Sequence, residues 1–200
     1  MNKRERSIVI GGILGDSFLQ KTGKKNARLR LEHCARQKEY IFWKWRELAR
    51  YMQDKPRYLS RFNPVWKKQY NYYRCQSHSS PEFGKLQLLF YSDKQKQIPE
   101  AINKLLDELA LAVWFMDDGY YYKRDKIAYI YLSKLTDESI QRLKCVLAEN
   151  FNLFPKLEKK KTQTLNLKFC ADDTRKLMKI IAPHVINCMR HKIDEEPRID

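Results

Sequence analysis

Two apolar runs, each rich in small residues and each stopped abruptly by an acid, constrain this chain more than any other feature. The first is SIVIGGILGDSFLQ (residues 7–20) and the second LALAVWFMDDGYYYK (residues 109–123). Extended backwards over Lys3–Arg6 and Lys104–Glu108, each run is long enough for about three turns of α-helix. Gly11 and Gly15 lie four apart on one face of the first helix, with Gly12 beside them. Each helical glycine costs roughly 1 kcal/mol relative to alanine, so three of them call for a close approach by another backbone. Ala110, Ala112 and Val113 are the small residues of the second run. The simplest partner for each helix is the other one, packed backbone to backbone. A membrane dimer uses the same spacing, but neither run reaches the roughly 18 residues of a membrane span.

The terminal acids, Asp16 and Asp118, stand 102 residues apart in a chain of 200. A carboxylate at a helix C-terminus faces the negative end of the helix dipole, at a cost of about 0.3 to 1 kcal/mol. Parallel packing of the two helices adds repulsion between like charges. A divalent cation removes both difficulties, because hard cations are held by carboxylates together with substrate phosphates, and such sites cleave phosphodiesters. The acids therefore read as a nuclease centre, with Asp117 as the alternative ligand in the second run.

Forty Lys and Arg against 24 Asp and Glu give a net charge of +16, spread along the whole length. Such a chain seeks a polyanion. A membrane surface is the alternative, but it calls for a basic amphipathic helix or a lipidation signal, and neither occurs. Nucleic acid suits the charge and the aromatic content together. A 43% hydrophobic content supplies the core for one large domain or two small ones. Five cysteines, scattered and never in a C-x-x-C pair, argue against a disulfide framework and against structural zinc. His33, His78, His184 and His191 show no ligand spacing either. Reduced thiols are expected, in an intracellular protein. The apolar stretch after MNKRER is short for a secretory leader and has no A-x-A-like cleavage site.

Between the runs, helix and strand signals recur in a similar order in each half. ARLRLEH (27–33) alternates Ala27, Leu29 and Leu31 with Arg28, Arg30 and Glu32, a half-buried strand. EYIFWKWRELARYM (39–52) carries Ile41, Trp45, Leu48 and Met52 on one helical face. Residues 70–78 read as a strand, 81–91 as a helix opened by Pro81, and 92–100 as a linker. In the second half, residues 126–133 alternate, Thr136 opens a helix to about Asn150, and LNLKFC (165–170) alternates again. There Leu165, Leu167 and Phe169 oppose Asn166 and Lys168. A last helix starts near Asp172 or Asp173 and ends by Pro183. KLEKKK (156–161) reads as a basic hairpin, while Phe42, Trp43 and Trp45 read as core or half-buried helix residues. The fold class is α+β, built by duplication. Strand faces turned away from the core are the candidate DNA-binding surface: Arg28, Arg30, Arg74, Gln76, Asn166 and Lys168. Arginine suits guanine edges, and Asn or Gln suits adenine.

VIGGILGDS (9–17) and LAVWFMDDG (111–119) resemble the two signature motifs of the LAGLIDADG homing endonucleases, and the tail NCMRHKI (187–193) is similar to the closing segment of their single-chain, double-motif branch. Ser17 departs from the motif, which has glycine after the acid. The resemblance implies two pseudo-symmetric αββαββα halves, residues 1–98 and 99–200, with saddle-shaped antiparallel sheets in the DNA major groove and a central pair of motif helices. It implies a monomer that cleaves both strands of a long, specific duplex site. Asp16 and Asp118 would hold Mg²⁺, with Mn²⁺ as a substitute and Ca²⁺ supporting binding without cleavage. A basic or amide side chain near each metal assists in this family, and Lys168 and Gln76 fit by position and type, with a groove contact as the other reading of each. Members are commonly encoded within introns or inteins. The expected location is intracellular, with a prokaryotic cytoplasm and an organelle both open. Two rivals share the fold: an intron RNA maturase, and a DNA-binding regulator without cleavage.

Overall fold

A computed structural model describes residues 1–65, 67–93, 95–160 and 164–193. The first half runs α1 (Lys3–Leu14), β1 (Phe18–Lys21), β2 (Ala27–Cys34), α2 (Lys38–Glu47), β3 (Arg57–Asn63), β4 (Lys68–Gln76) and α3 (Pro81–Phe90). After a small hairpin, β5 (Tyr91–Ser92) and β6 (Gln95–Lys96), the order repeats. The second half runs α4 (Glu108–Asp118), β7 (Gly119–Tyr122), β8 (Ile127–Tyr131), α5 (Asp137–Phe151), β9 (Lys156–Lys159), β10 (Leu165–Phe169) and α6 (Ala171–Ile181). Hairpin aside, each half is αββαββα. The two large sheets are antiparallel and share one topology, β1-β2-β4-β3 and β7-β8-β10-β9.

Packing divides the chain into two compact units, Met1 with Asp16–Gln87, and Asn2–Gly15 with the residues from Leu88 onward. In the first unit, Ala27, Leu29 and Leu31 bury one face of β2, and Tyr40 and Ile41 of α2 belong to the same core. Arg28, Arg30 and Glu32 alternate onto the other face, half-buried. Ser77 anchors the strand from the side, its Oγ accepting from the Leu29 N–H at 2.8 Å.

The second unit is organised around α1 and α4. Asn2 caps α1 through a reciprocal box, its Oδ1 accepting from the Glu5 N–H at 2.8 Å while the Glu5 carboxylate accepts from the Asn2 N–H at 2.7 Å. Asp107 caps α4, its Oδ1 accepting from the Ala110 N–H at 2.9 Å. Every residue from Ser7 to Leu14 and from Leu109 to Asp117 is buried. The helices run parallel in contact. Ser7 Oγ donates to Asp107 Oδ2 at 2.6 Å, and a Cβ added at Gly11 would lie 2.3 Å from the Ala110 carbonyl oxygen. Only a hydrogen fits there, which accounts for the glycine. Ala128, Ile130, Leu167 and Phe169 bury one face of the second sheet, against which α6 packs with Leu177 and Ile181 buried, and Leu143 and Leu147 of α5 are buried as well. Asn152 closes α5 in the left-handed conformation, at φ 54°.

Several boundaries differ from the sequence reading. The second motif helix does not extend back to Lys104, because Asp107 caps it and Glu100–Lys104 form a separate 3-10 turn. α2 ends at Glu47, and Met52 lies beyond it. Residues 92–100 are structured around the β5–β6 hairpin. Ile98 is buried, with its N–H on Ser139 Oγ at 3.1 Å and its carbonyl on Arg142 Nη1 at 2.7 Å. Of the segments named from sequence, Lys94 and Lys161 lie outside the described residues. All five cysteines are free thiols. Among the described residues no helix is long and apolar enough to cross a membrane.

Candidate active site and nucleic-acid interface

Both motif helices end in buried, closely packed turns. In the second unit, a Cβ on Gly15 would sit 2.5 Å from Asp117 Cβ and 2.6 Å from Asp117 Oδ2. Glycine at that step lets the buried Asp117 side chain lie against the end of α1. Asp118, the last residue of α4, is half-buried. Two lysines close the helix ends in the same way. Lys96 Nζ donates to the Gly15 carbonyl at 3.1 Å, and Lys192 Nζ donates to the Asp117 carbonyl at 3.0 Å. Each carbonyl belongs to the residue just before a motif acid, Asp16 or Asp118. Ammonium groups there satisfy last-turn carbonyls and oppose the negative end of each dipole. Composition gave no sign of these lysines. Their signal is positional, since each follows the third helix of its repeat.

In the first unit the Asp16 side chain is 44% exposed, with Oδ2 3.7 Å from Nδ1 of the buried His33. Asp16 also borders a groove lined by Phe18, Arg30, Glu32, Arg61 and Arg74. Register places Arg30 opposite Gln76, Glu32 opposite Arg74, and Arg57 opposite Arg74, so these side chains share the sheet face turned away from α2. Arg28 is on that face too, opposite Gln20. Arg57 and Arg61 come from β3, which the sequence reading passed over. Glu32 takes ion pairs from Arg74 at 2.8 Å and Arg61 at 3.4 Å. Gln76 donates to Gln53 Oε1 at 3.3 Å. The Nε atoms of Arg28 and Arg30 are buried without a hydrogen-bond partner in the protein.

The second sheet presents a different face. Tyr120 opposes Tyr129, which opposes Lys168, while Asn166 lies between Tyr131 and Glu158. Lys168 Nζ is 3.2 Å from Glu158 Oε1, and that hydrogen bond is the main reason its pKa lies above the ordinary lysine value. Asn166 departs from the exposed placement expected of it: it is 0% exposed, and neither Nδ2 nor Oδ1 has a hydrogen-bond partner in the protein. Alternation sets which face a residue joins, but the large tyrosine beside it sets how deep it sits.

Each unit supplies a carboxylate of the kind hard cations take and a sheet face whose side chains suit phosphates and base edges. Comparison with known proteins agrees. The model of the LAGLIDADG DNA endonuclease family matches residues 6–177. The probable intron-encoded endonuclease 1 of Wickerhamomyces canadensis is 27% identical, over 96% of this chain and 85% of its own. A protein named RecA from Mycolicibacterium fallax is 26% identical over 96% of this chain, which spans about half the length of that relative (47%). Among solved structures, the homing endonuclease I-WcaI bound to its DNA recognition sequence superposes with a TM-score of 0.87 at 25% identity, covering 96% of this chain and 86% of that one. I-DmoI in complex with DNA and Ca, at 13% identity and a TM-score of 0.52 over 90% and 89% of the two chains, shares the fold. The chain belongs to the LAGLIDADG DNA endonuclease family.

Proposed function

We propose that this chain is a monomeric, sequence-specific endonuclease that hydrolyses both strands of a long duplex site with divalent metal. The observation that carries the reading is the matched pair of motif-helix ends, each with an acid at its close and a lysine on its last-turn carbonyl. Asp16 and Asp118 are the carboxylates assigned to Mg²⁺, with Mn²⁺ as a substitute. I-DmoI has been solved in complex with DNA and Ca, and variants of it with DNA in the presence of Mn or Mg. A bound divalent cation supplies Lewis-acid stabilisation of the attacking and leaving oxygens. Lys96 and Lys192 bring ammonium charge to the same helix ends, where phosphate charge must be offset. Arg28, Arg30, Arg57, Arg61, Arg74 and Lys168 bind the duplex, and the two unsatisfied arginine Nε donors are suited to outside acceptors. Gln76 is assigned to the same face as a base contact. Asp117 is the second reading for the α4 ligand, favoured by its position against Gly15.

The test is cleavage of a supercoiled plasmid carrying a site selected from a random library by the Ca²⁺-loaded protein, with a binding titration at fixed salt. Asp16→Asn and Asp118→Asn should abolish cleavage yet keep affinity, because affinity comes mainly from counterion release by Lys and Arg. Wild-type cutting by Asp16→Asn would overturn the reading. Loss with Asp117→Asn while Asp118→Asn stays active would move the ligand by one residue. A maturase role is the further reading, favoured by 24% identity to the cytochrome b mRNA maturase bI2 of Debaryomyces hansenii over 96% of this chain and 74% of that protein. Promotion of self-splicing of a group of candidate intron RNAs by the Asp16→Asn variant would establish it, and failure to bind any of them would exclude it.

A further inference from the structure

In the first unit a carboxylate stands in the middle of a sheet face otherwise rich in arginine. Glu32 is on β2, one of the two central strands, and its two oxygens are divided between two arginines. Oε2 accepts from Arg74 Nε at 2.9 Å and lies 2.8 Å from Nη2 of the same guanidinium, while Oε1 faces Arg61 Nη2 at 3.4 Å. Tyrosine rings support both guanidinium groups. Arg74 Cζ lies 5.2 Å from the Tyr72 ring, and Arg61 Cζ lies 5.0 Å from both Tyr70 and Tyr72, which stack on each other at 5.5 Å. Arg74 Nη2 also donates to Tyr72 Oη, at 3.3 Å. Arg74 Nη1 is left with no partner among the described residues, on a side chain that is 29% exposed.

A phosphate contact gains from net positive charge, and a carboxylate on its flank cancels part of that charge and repels the anion. A guanine edge is uncharged and offers two acceptors, N7 and O6, so it rewards a guanidinium held in one plane. We propose that Arg74 reads a guanine through the outer end of its guanidinium, and that Glu32 is its positioning residue, fixing the Nε–Nη2 edge so that Nη1 faces the base. The long bond from Nη2 to Tyr72 Oη is the one that gives way to the second guanine acceptor. The proposal rests on the reading of this face as the duplex-binding surface of a sequence-specific endonuclease. Arg28 and Arg30 are the contrasting case on the same face, since neither has an acid partner among the described residues. Glu32 therefore lowers attraction to every duplex and raises discrimination at one base pair.

Selection of duplexes from a random library by the Ca²⁺-loaded protein reads the preference at every position. Wild type should require guanine at one position that Arg74→Ala leaves open, with the rest of the site unchanged and discrimination at that pair falling about 10- to 100-fold. Glu32→Ala should lose the same pair and no other, while binding non-specific duplex more tightly and with a steeper dependence on salt. Glu32→Gln, whose amide oxygen can still accept from Arg74 Nε, should keep most of the guanine preference yet show the same gain in non-specific affinity, which separates orientation from charge. Replacing that dG by 7-deaza-dG, which lacks the N7 acceptor, should weaken binding by wild type and leave binding by Arg74→Ala unchanged. This arm leaves Glu32 in place, so poor folding of a Glu32 variant would not blunt the test. Equal weakening of all duplexes by Arg74→Ala, with a shallower salt dependence, would make Arg74 a phosphate contact and overturn the proposal. An unchanged profile in Glu32→Ala, or a blurring of the whole site, would overturn the role of Glu32. A wild type that enriches no sequence would overturn sequence-specific recognition as well, whereas a selected site that is bound but never cut with Mg²⁺ would overturn the nuclease reading alone.

Discussion

At Gly11 a single hydrogen decides whether the two motif helices can touch. A methyl group there would stand 2.3 Å from the Ala110 carbonyl oxygen and 2.7 Å from Val113 Cβ, and the first of these is backbone that cannot swing aside. Gly11→Ala gains about 1 kcal/mol of helix propensity but should lose more to overpacking, typically ~1 to 3 kcal/mol, and so lower the urea midpoint or split the helix pair. A raised midpoint would contradict the packing. Cys75 makes a second prediction at this scale. Burial pushes its thiol up to about 12 from 9.0, so the folded state favours the protonated form. Its contribution is fully present below pH 9 and falls away as pH rises toward 12. Stability should therefore drop more steeply over that window in wild type than in Cys75→Ala, read by thermal melts at pH 8 and pH 10.5. Residues whose placement follows from strand alternation, such as Arg28 and Leu29, were legible in the sequence. Lys44, His33 and Asn166 were not. A lysine on an amphipathic helix and a histidine among alternating strand residues look ordinary until the fold buries both, with Lys44 Nζ 3.2 Å from His33 Nε2.

Elements with a strong local period were also legible. α5 carries Thr136 at its cap and apolar residues at helical spacing, and β2 alternates without a break. β3 and β7 were not legible. In β3 every side chain is exposed or half-buried, so alternation leaves no trace, and β7 is four residues long and mostly tyrosine. Strand β10 tests the register. Leu167 is 0% exposed and Lys168 is half-buried on the opposite face. Leu167→Ala should destabilise by roughly 2 to 5 kcal/mol. Lys168→Ala should change stability little, since it removes a partly exposed ion pair, while weakening DNA binding. The reverse result in denaturation and binding titrations would mean a one-residue slip of the strand. Leu165, expected in the core, is half-buried at the strand's first position, so its truncation should cost less than that of Leu167.

For the molecule as a whole, the repeat in the sequence and the units made by packing are drawn differently. Chain order gives two αββαββα halves; the alternation of helices and strands in each half was readable from motif spacing and the recurrence of elements, and the αββαββα count came with the family resemblance. Membership of a compact unit was not readable, because it depends on which surfaces a helix buries. α1 starts the first repeat but packs along α4 in the second unit. α4 is buried from Leu109 to Asp117, and its approach to α1 is closed by Gly11 and Gly15. A chain beginning at residue 99 keeps its own sheet, α5 and α6 but lacks α1, leaving the small-residue face of α4 open to water. Leu109, Val113 and the lysine-capped end at Asp117 would lose their neighbouring helix, and an exposed apolar stripe of that kind promotes association. This fragment should aggregate or show the far-UV spectrum of structured chain without a cooperative melt. A synthetic peptide spanning residues 1–20 should bind it and restore cooperativity, whereas the same peptide with Gly11→Val and Gly15→Val should not. A fragment from residue 99 that melts cooperatively without the peptide would show that α4 does not depend on α1.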